Sequence, residues 1–298
     1  MIAENEGQKV FQAQSKGQLE ISLTPEKCKS SPEGPTRVYI GTDGVKVPMV
    51  TTEEKIKRRK KRGPKRKGSR RRVMRCGADN PYKEFKIATF YDQSNEYRHV
   101  VATAGDHEVL GRLVRRQAVH LGLNDFDQKL AVADGADWIY KQLTRKIPTL
   151  DEFILDFFHL SEYIWLAANA CFGVNSQKAE SFASELLHLA KHQGVTEILL
   201  ILASKRKMLR SPDKRKALLE SINYIAKRIA QCEYPRYIGQ GWQIGSGPTE
   251  AMCKVLTYRL KGSGMRWDRQ GAEPIMALIA LEQSDAWKSY WQSQKLVA

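Results

Sequence analysis

The chain has 298 residues, 42% hydrophobic and 9% aromatic, the make-up of a folded globular protein with a sizeable core rather than a disordered one. Its longest apolar run, Ile275 to Leu281, is too short to span a bilayer, and Met1-Ile2-Ala3-Glu4 lacks the basic-then-apolar pattern of a signal peptide, so a cytoplasmic, nucleoid-associated protein is expected, with no membrane partner. Lys and Arg total 49 against 33 acidic residues, a net charge of +16, which points to a polyanionic partner.

Residues 1–36 are polar and close with Ser30-Ser31-Pro32-Glu33-Gly34-Pro35, which reads as a linker or the remnant of an N-terminal region. A strand follows from Arg37 to Thr42, running into Asp43-Gly44, with extended character continuing through Val45 to Val50. Between Lys55 and Arg75 there are 14 basic residues and no acidic one; removing those charges from +16 leaves +2 on the rest of the chain. A solvated tail is the plain explanation of such a run, but this one lies between two strand-like segments, which favours a loop gripping a phosphate backbone. Lys57, Arg58, Arg59, Lys60, Lys61, Arg62, Lys65, Arg66 and Lys67 are its candidate DNA contacts.

Glu84–Tyr91 and Tyr97–Thr103 largely alternate apolar and polar residues around the turn Asp92-Gln93-Ser94-Asn95, a hairpin that makes three antiparallel strands with the first. Asp106–Leu121 has helical spacing and ends at Gly122, Lys129–Ala133 is a fourth strand leading into Asp134, a short helix covers Ala136–Leu143, and a fifth strand lies near Phe153–Leu155. From Ser161 to Cys232 the pattern is entirely helical, and a final helix starts near Pro248. This order is that of an α/β, ribonuclease H-like mixed sheet whose first and fourth strands are neighbours. The expected divisions are a catalytic core over 37–160, an all-helical insertion over 161–240, and the last catalytic helices over 241–298.

Three carboxylates stand out. Asp43 and Asp134 each end an apolar run and precede a glycine, and Glu250 follows Gly245-Ser246-Gly247-Pro248-Thr249 at a helix start. Each has a local explanation: Asp43-Gly44 as a turn, Asp134 as a helix cap, Glu250 as a favourable charge at a helix N-terminus. The expected topology instead gathers them, and three such groups can hold two Mg²⁺ or Mn²⁺ ions roughly 3.5–4 Å apart for phosphoryl chemistry. Asp156 and His159 follow the fifth strand and place a further carboxylate and an imidazole near the same sheet end, while Lys254, Arg259, Lys261 and Arg266 continue the basic trend beyond Glu250 and Trp267 offers a stacking surface. The five cysteines are scattered and never in a Cys-x-x-Cys pair, which argues against a disulfide framework or a zinc ribbon, and His188 and His192 lack the glutamate a zincin needs between them.

Taken in order, Thr42-Asp43-Gly44-Val45, Ala133-Asp134-Gly135-Ala136, Asp156-x-x-His159, Gly245-Ser246-Gly247-x-x-Glu250 and the block from Lys261 through Trp267 to Gly271-Ala272 resemble the DDE transposases of bacterial insertion sequences, the Kra-type group and its Mutator-like relatives. The resemblance covers about residues 37 to 285. It implies a ribonuclease H-like fold, Asp43, Asp134 and Glu250 as the metal-binding triad, Asp156 and His159 shaping the active site or engaging DNA, and a pair of Mg²⁺ or Mn²⁺ ions. The implied reaction is hydrolytic nicking at element ends followed by attack of the freed 3′-hydroxyl on target DNA, by a homodimer or larger assembly. Such proteins carry a helical DNA-binding region before the first catalytic strand, so the 36 residues preceding Arg37 are expected to be what is left of one in a shortened copy. Two other readings stay open: a non-catalytic nucleic-acid-binding protein, and a nuclease of the same fold that cuts without joining.

Overall fold

The structure, a computed structural model, describes residues 2–51, 53–54, 56–57, 60, 82–262, 265 and 267–295. It is a mixed α/β protein that divides into two compact units, Met1–Asp127 with Pro248–Ala298, and Gln128–Gly247. No helix among the described residues is long and apolar enough to cross a membrane.

The first unit is built on three antiparallel strands, β1 (Arg37–Pro48), β2 (Tyr82–Tyr91) and β3 (Arg98–Thr103). The β2–β3 hairpin turns on Asp92, whose carboxylate accepts from the N–H groups of Ser94 and Tyr97, and Asn95 takes the left-handed conformation. Period-two alternation sends Val47, Phe85, Ile87, Val100 and Ala102 into one fully apolar layer. That layer is closed by Met252, Cys253, Leu256 and Leu260 of α9 (Gly247–Lys261) and by Ala272, Met276 and Ala280 of α10 (Arg269–Gln283). At about 1.5–3 kcal/mol for each large apolar side chain removed from water, this layer is a principal stabiliser of the unit. Helix α2 (His107–His120) is capped by Asp106, whose side chain accepts from the Val109 N–H, and it ends at Gly122 in the left-handed conformation.

The N-terminal segment, expected to be a linker or the remnant of an N-terminal region, opens with a packed helix. Ile2–Lys16 forms helix α1, and Val10 is fully buried with Leu19, Ala277, Leu281, Ala286 and Tyr290. Its buried face also uses Gly7 and Gln14, and the Gln14 carbonyl accepts from Gln117 Nε2 at 2.6 Å. A face that buries a glycine and a glutamine leaves little apolar periodicity to read, so the composition of this segment shows only its polarity. The chain beyond is anchored too: Leu23 and Cys28 are buried, and the Arg37 N–H donates to the Cys28 carbonyl.

The second unit contains the parallel pair β4 (Gln128–Ala133) and β5 (Glu152–Leu155), joined through α3 (Asp137–Lys146). Helices α4 (Phe157–Phe172), α5 (Gln177–His192), α6 (Thr196–Met208) and α7 (Pro212–Lys227) follow, then a short α8 (Tyr234–Gly239). The helical insertion expected over 161–240 therefore belongs to a compact unit that also holds β4 and β5, which the sequence assigned to the catalytic core. The last helix among the described residues is α11 (Trp287–Lys295), in the first unit.

His99 on β3 reports on the first unit. It is 2% exposed, with Nε2 2.8 Å from Gln117 Oε1 on α2, a contact that suits the neutral ring donating from Nε2. Burial holds its pKa down to about 4, although the Gln117 hydrogen bond acts the other way. An unfolded histidine titrates near ~6.5, so the unfolded chain binds the extra proton first and acid favours unfolding. Stability is full above that value and falls as the pH drops through the folded value, by about 3 kcal/mol in all if His99 acted alone. Urea unfolding followed from pH 7 to 4 is expected to show this loss, and His99→Gln to flatten it; parallel profiles would refute the assignment.

Candidate active site

Asp43 does not end its strand. It lies in the middle of β1 opposite Ile87, and pairing with β2 continues to Pro48 opposite Tyr82. The Asp-Gly pair is therefore no turn, because Val45 and Val47 keep up the alternation beyond it. Directly paired residues share a face, so Asp43 stands on the same side of the sheet as Ile87 and Phe85, the side covered by α9.

Helix α9 delivers Glu250 to that side. Its N-terminal turn carries Glu250, a position where a carboxylate is favoured by the helix dipole. The preceding Thr249 is 1% exposed and seated against the backbone of Gly41, where a Cβ would lie 1.8 Å from Thr249 Oγ1. Only glycine permits that approach. One turn along α9, Cys253 is 4% exposed and its thiol hydrogen-bonds to the Asp43 carboxylate. Burial first, then the negative charge and hydrogen bond of Asp43 and the charge of Glu250, push the thiol far above its ordinary pKa, with Lys261 opposing. Cys253 is thus a neutral donor with both carboxylates in its field. The sequence reading missed it, although its position three residues after Glu250 is a same-face helical spacing.

The second unit presents its own carboxylates at strand ends. Ala133 and Leu155 are paired in the parallel β4–β5 ladder, so Asp134 and Asp156 emerge side by side at the carboxyl ends, the usual location of ligand sites in α/β sheets. Asp134 is half-buried; its Oδ1 accepts from the Ala136 N–H at 2.9 Å, and Ala136, not Asp134, occupies the cap of α3. Asp156 is fully buried. Its Oδ1 caps α4 by accepting from the Phe158 N–H at 2.8 Å, and its Oδ2 accepts from the Ser246 hydroxyl. With the Phe157 N–H donating to the Ile244 carbonyl, Asp156 fastens the Gly-Ser-Gly segment to the end of β5. A ring nitrogen of His159 comes within 4.8 Å of an Asp156 oxygen, and His159 Nδ1 is 3.3 Å from Glu162 Oε2.

Cations stand beside Asp134. The Arg228 guanidinium donates to the Gly135 carbonyl from Nε at 2.9 Å and lies over the Tyr224 ring at 3.9 Å, while Lys227 pairs with Asp137 at 2.5 Å. A side chain at position 135 would meet the Tyr224 hydroxyl and the Arg228 Nε at 2.3–2.4 Å, so both side chains would have to shift to admit one. Nothing local in the sequence announces a contact spanning 93 residues.

Of the expected DNA contacts, Lys57 and Lys60 are exposed, as are Lys254, Arg259 and Lys261 on α9. Arg58, Arg59, Lys61, Arg62, Lys65, Arg66, Lys67 and Arg266 lie outside the described residues. Trp267 is half-buried against the α9–α10 layer, its indole N–H donates to the Arg259 carbonyl at 3.3 Å, and its own carbonyl accepts from the Val50 N–H, so it packs rather than presents a free ring. Basic charge also gathers where α6 meets α7: Lys207, Arg210, Lys214, Arg215 and Lys216 are exposed there. The net charge concealed this patch, whereas a count over residues 205–216 reveals it, with seven cations and one acid.

Asp43 and Glu250 offer hard oxygen donors at partly exposed positions, the chemistry that suits Mg²⁺ or Mn²⁺, and Asp134 offers the same from the second unit. No protein-family model matches the chain, and no curated protein matches it. Among solved structures it is similar to a chain of the Drosophila P element transposase strand transfer complex, at 14% identity and a TM-score of 0.26, over 86% of this chain and 65% of that one.

The Gly41–Thr249 contact makes a direct prediction. Gly41→Ala should destabilise the first unit by about 1–3 kcal/mol, the usual cost of overpacking. Adding Thr249→Ala removes the Oγ1 and methyl obstructions and should restore part of the loss; purely additive effects in urea unfolding would show that the contact does not seat α9.

Proposed function

We propose that this chain is a metal-dependent DNA phosphoryl-transfer enzyme, a DDE-type transposase of ribonuclease H-like fold, with Asp43, Asp134 and Glu250 as its metal-binding carboxylates. The observation that carries the reading lies within the first unit: a mid-strand aspartate and a helix-start glutamate, 207 positions apart in the chain, are brought together by the packing of α9 on the face of β1 and β2 that bears Asp43. Structural turns and caps do not require that convergence. In the second unit, Asp134 and Asp156 supply the matching strand ends.

Bound divalent ions would polarise the scissile phosphate and lower the pKa of the attacking water or 3′-hydroxyl. The residues do the rest. Asp43, Asp134 and Glu250 would hold the ions, with Cys253 orienting Asp43. Asp156 and Ser246 keep the Gly-Ser-Gly segment in place, with His159 beside them. Lys254, Arg259 and Lys261, together with the segment from Lys55 to Arg75, bind the phosphate backbone, which is the reason for the excess of positive charge. Nicking of element ends and joining to target DNA, by a homodimer or larger assembly, follow from the motif resemblance to bacterial insertion-sequence transposases.

Asp43→Asn, Asp134→Asn and Glu250→Gln are each expected to lower Mn²⁺-dependent nicking of supercoiled plasmid at least ~100-fold while leaving duplex binding within about threefold, because each removes a ligand charge without touching the cationic surface. Retained nicking in any of the three would overturn the triad. Incubation with a 3′-hydroxyl oligonucleotide separates joining from cutting: joined products identify a transposase, and nicking alone identifies a nuclease.

A further inference from the structure

The solvent side of α2 carries Arg112, Arg115, Arg116, Val119 and His120, spaced i, i+3, i+4, i+7 and i+8, which is one continuous helical stripe. The opposite stripe, Leu110, Leu113, Val114, Gln117 and Ala118, is buried, so the orientation of the helix is fixed and the basic side faces outward. Lys16, from the last turn of α1, lies alongside. Together these residues line an open depression of about 430 Å³ in which five lining side chains are basic and none is acidic.

Two of the five build the wall. The Arg116 guanidinium donates to the Ser15 carbonyl, and His120 Nε2 lies 2.7 Å from the Leu19 carbonyl oxygen, which binds α2 to the end of α1. The other three are available to a ligand. Lys16 and Arg115 have no ion-pair partner among the described residues. Arg112 helps to keep Asp106 ionised, but only after the Val109 N–H and other influences that bear on that carboxylate more strongly. Like charges converging on one concavity repel one another, and an anion spread along the stripe relieves that repulsion. From Arg112 to His120 the helix rises about 12 Å, enough to follow several phosphates of a strand whose charges recur every ~3.4 Å of duplex axis. Val119, which is 78% exposed, is the one apolar side chain among the described residues that line the depression, and the charged tips of the lysine and arginines around it suit a phosphate backbone.

We propose that this cleft between α1 and α2 is a second duplex-DNA contact, gripping the sugar–phosphate backbone without regard to sequence and separate from the segment between Lys55 and Arg75. The inference rests on the reading of DNA as partner made above, and its test does not depend on catalysis. Fluorescence anisotropy without divalent metal, on a random duplex of about 30 base pairs over a KCl series, should show the magnitude of the salt slope falling by about 2–3 in the K16Q/R112Q/R115Q variant, and affinity weakening about 10–100-fold at 0.1 M salt. All three side chains are exposed, so an unchanged thermal midpoint will show that the fold is kept. A benzophenone side chain at position 119 should cross-link to the duplex. If the wild-type chain binds but the variant keeps its slope and position 119 gives no cross-link, the cleft is overturned and the DNA reading stands. If the wild-type chain fails to bind duplex at all, both fall.

Discussion

The geometry of the first unit depends on the missing side chain at Gly41. Thr249 rests where a Cβ would be, and this close approach fixes both the depth and the rotation at which α9 starts on the sheet. Every feature of the candidate site in this unit descends from that placement. Glu250 follows Thr249 directly, Cys253 lies a turn further on, and Asp43 is two residues from Gly41 on the same face of β1. Strand period and helix period thus meet at one point. A larger residue at position 41 would lift the helix and carry Glu250 away from Asp43, even with both carboxylates intact.

The second unit solves a similar problem with hydrogen bonds. Parallel pairing of β4 with β5 brings Asp134 and Asp156 to one level, but their environments differ. Asp156 is fully buried and committed to two donors, the Phe158 N–H and the Ser246 hydroxyl, whereas Asp134 is half-buried and takes one short-range contact from the Ala136 N–H. A buried carboxylate that satisfies a helix cap and a hydroxyl holds the surrounding chain in place, because leaving either donor unpaired would be costly. The more open Asp134 keeps ligand capacity. Two acids that look alike in sequence thus differ in depth, one committed to holding the chain and the other left open in the way the proposed metal role would need.

Much of this was legible in the sequence, and the exceptions have physical causes. Apolar alternation, helical spacing and turn chemistry located the β2–β3 hairpin, the helix from Asp106 and its stop at Gly122, since these depend on nearest neighbours. The continuation of β1 past Asp43-Gly44 was obscured because Asp-Gly is also turn chemistry, and what decides between the two is the partner strand more than 40 residues away. Helix α1 was hidden because its buried face uses glycine and glutamine. The contacts of Cys253, Arg228 and Ser246 escaped notice because their partners are distant in the chain, and the basic stripe of α2 because its cations are spread at helical spacing among apolar residues instead of forming a run.

The choice of a thiol beside Asp43 is informative on its own terms. A lysine or arginine in that place would orient the carboxylate equally well, but its fixed charge would offset the negative field that attracts a divalent ion. A buried thiol held in its protonated form donates one hydrogen bond and adds no positive charge. The permanent cations of α9 instead stand at exposed positions, Lys254, Arg259 and Lys261, where they meet solvent and any polyanion in it. Under the proposed function, a neutral orienting group inside and charged groups outside would let α9 serve a cation and a polyanion at once, because neither set would cancel the other.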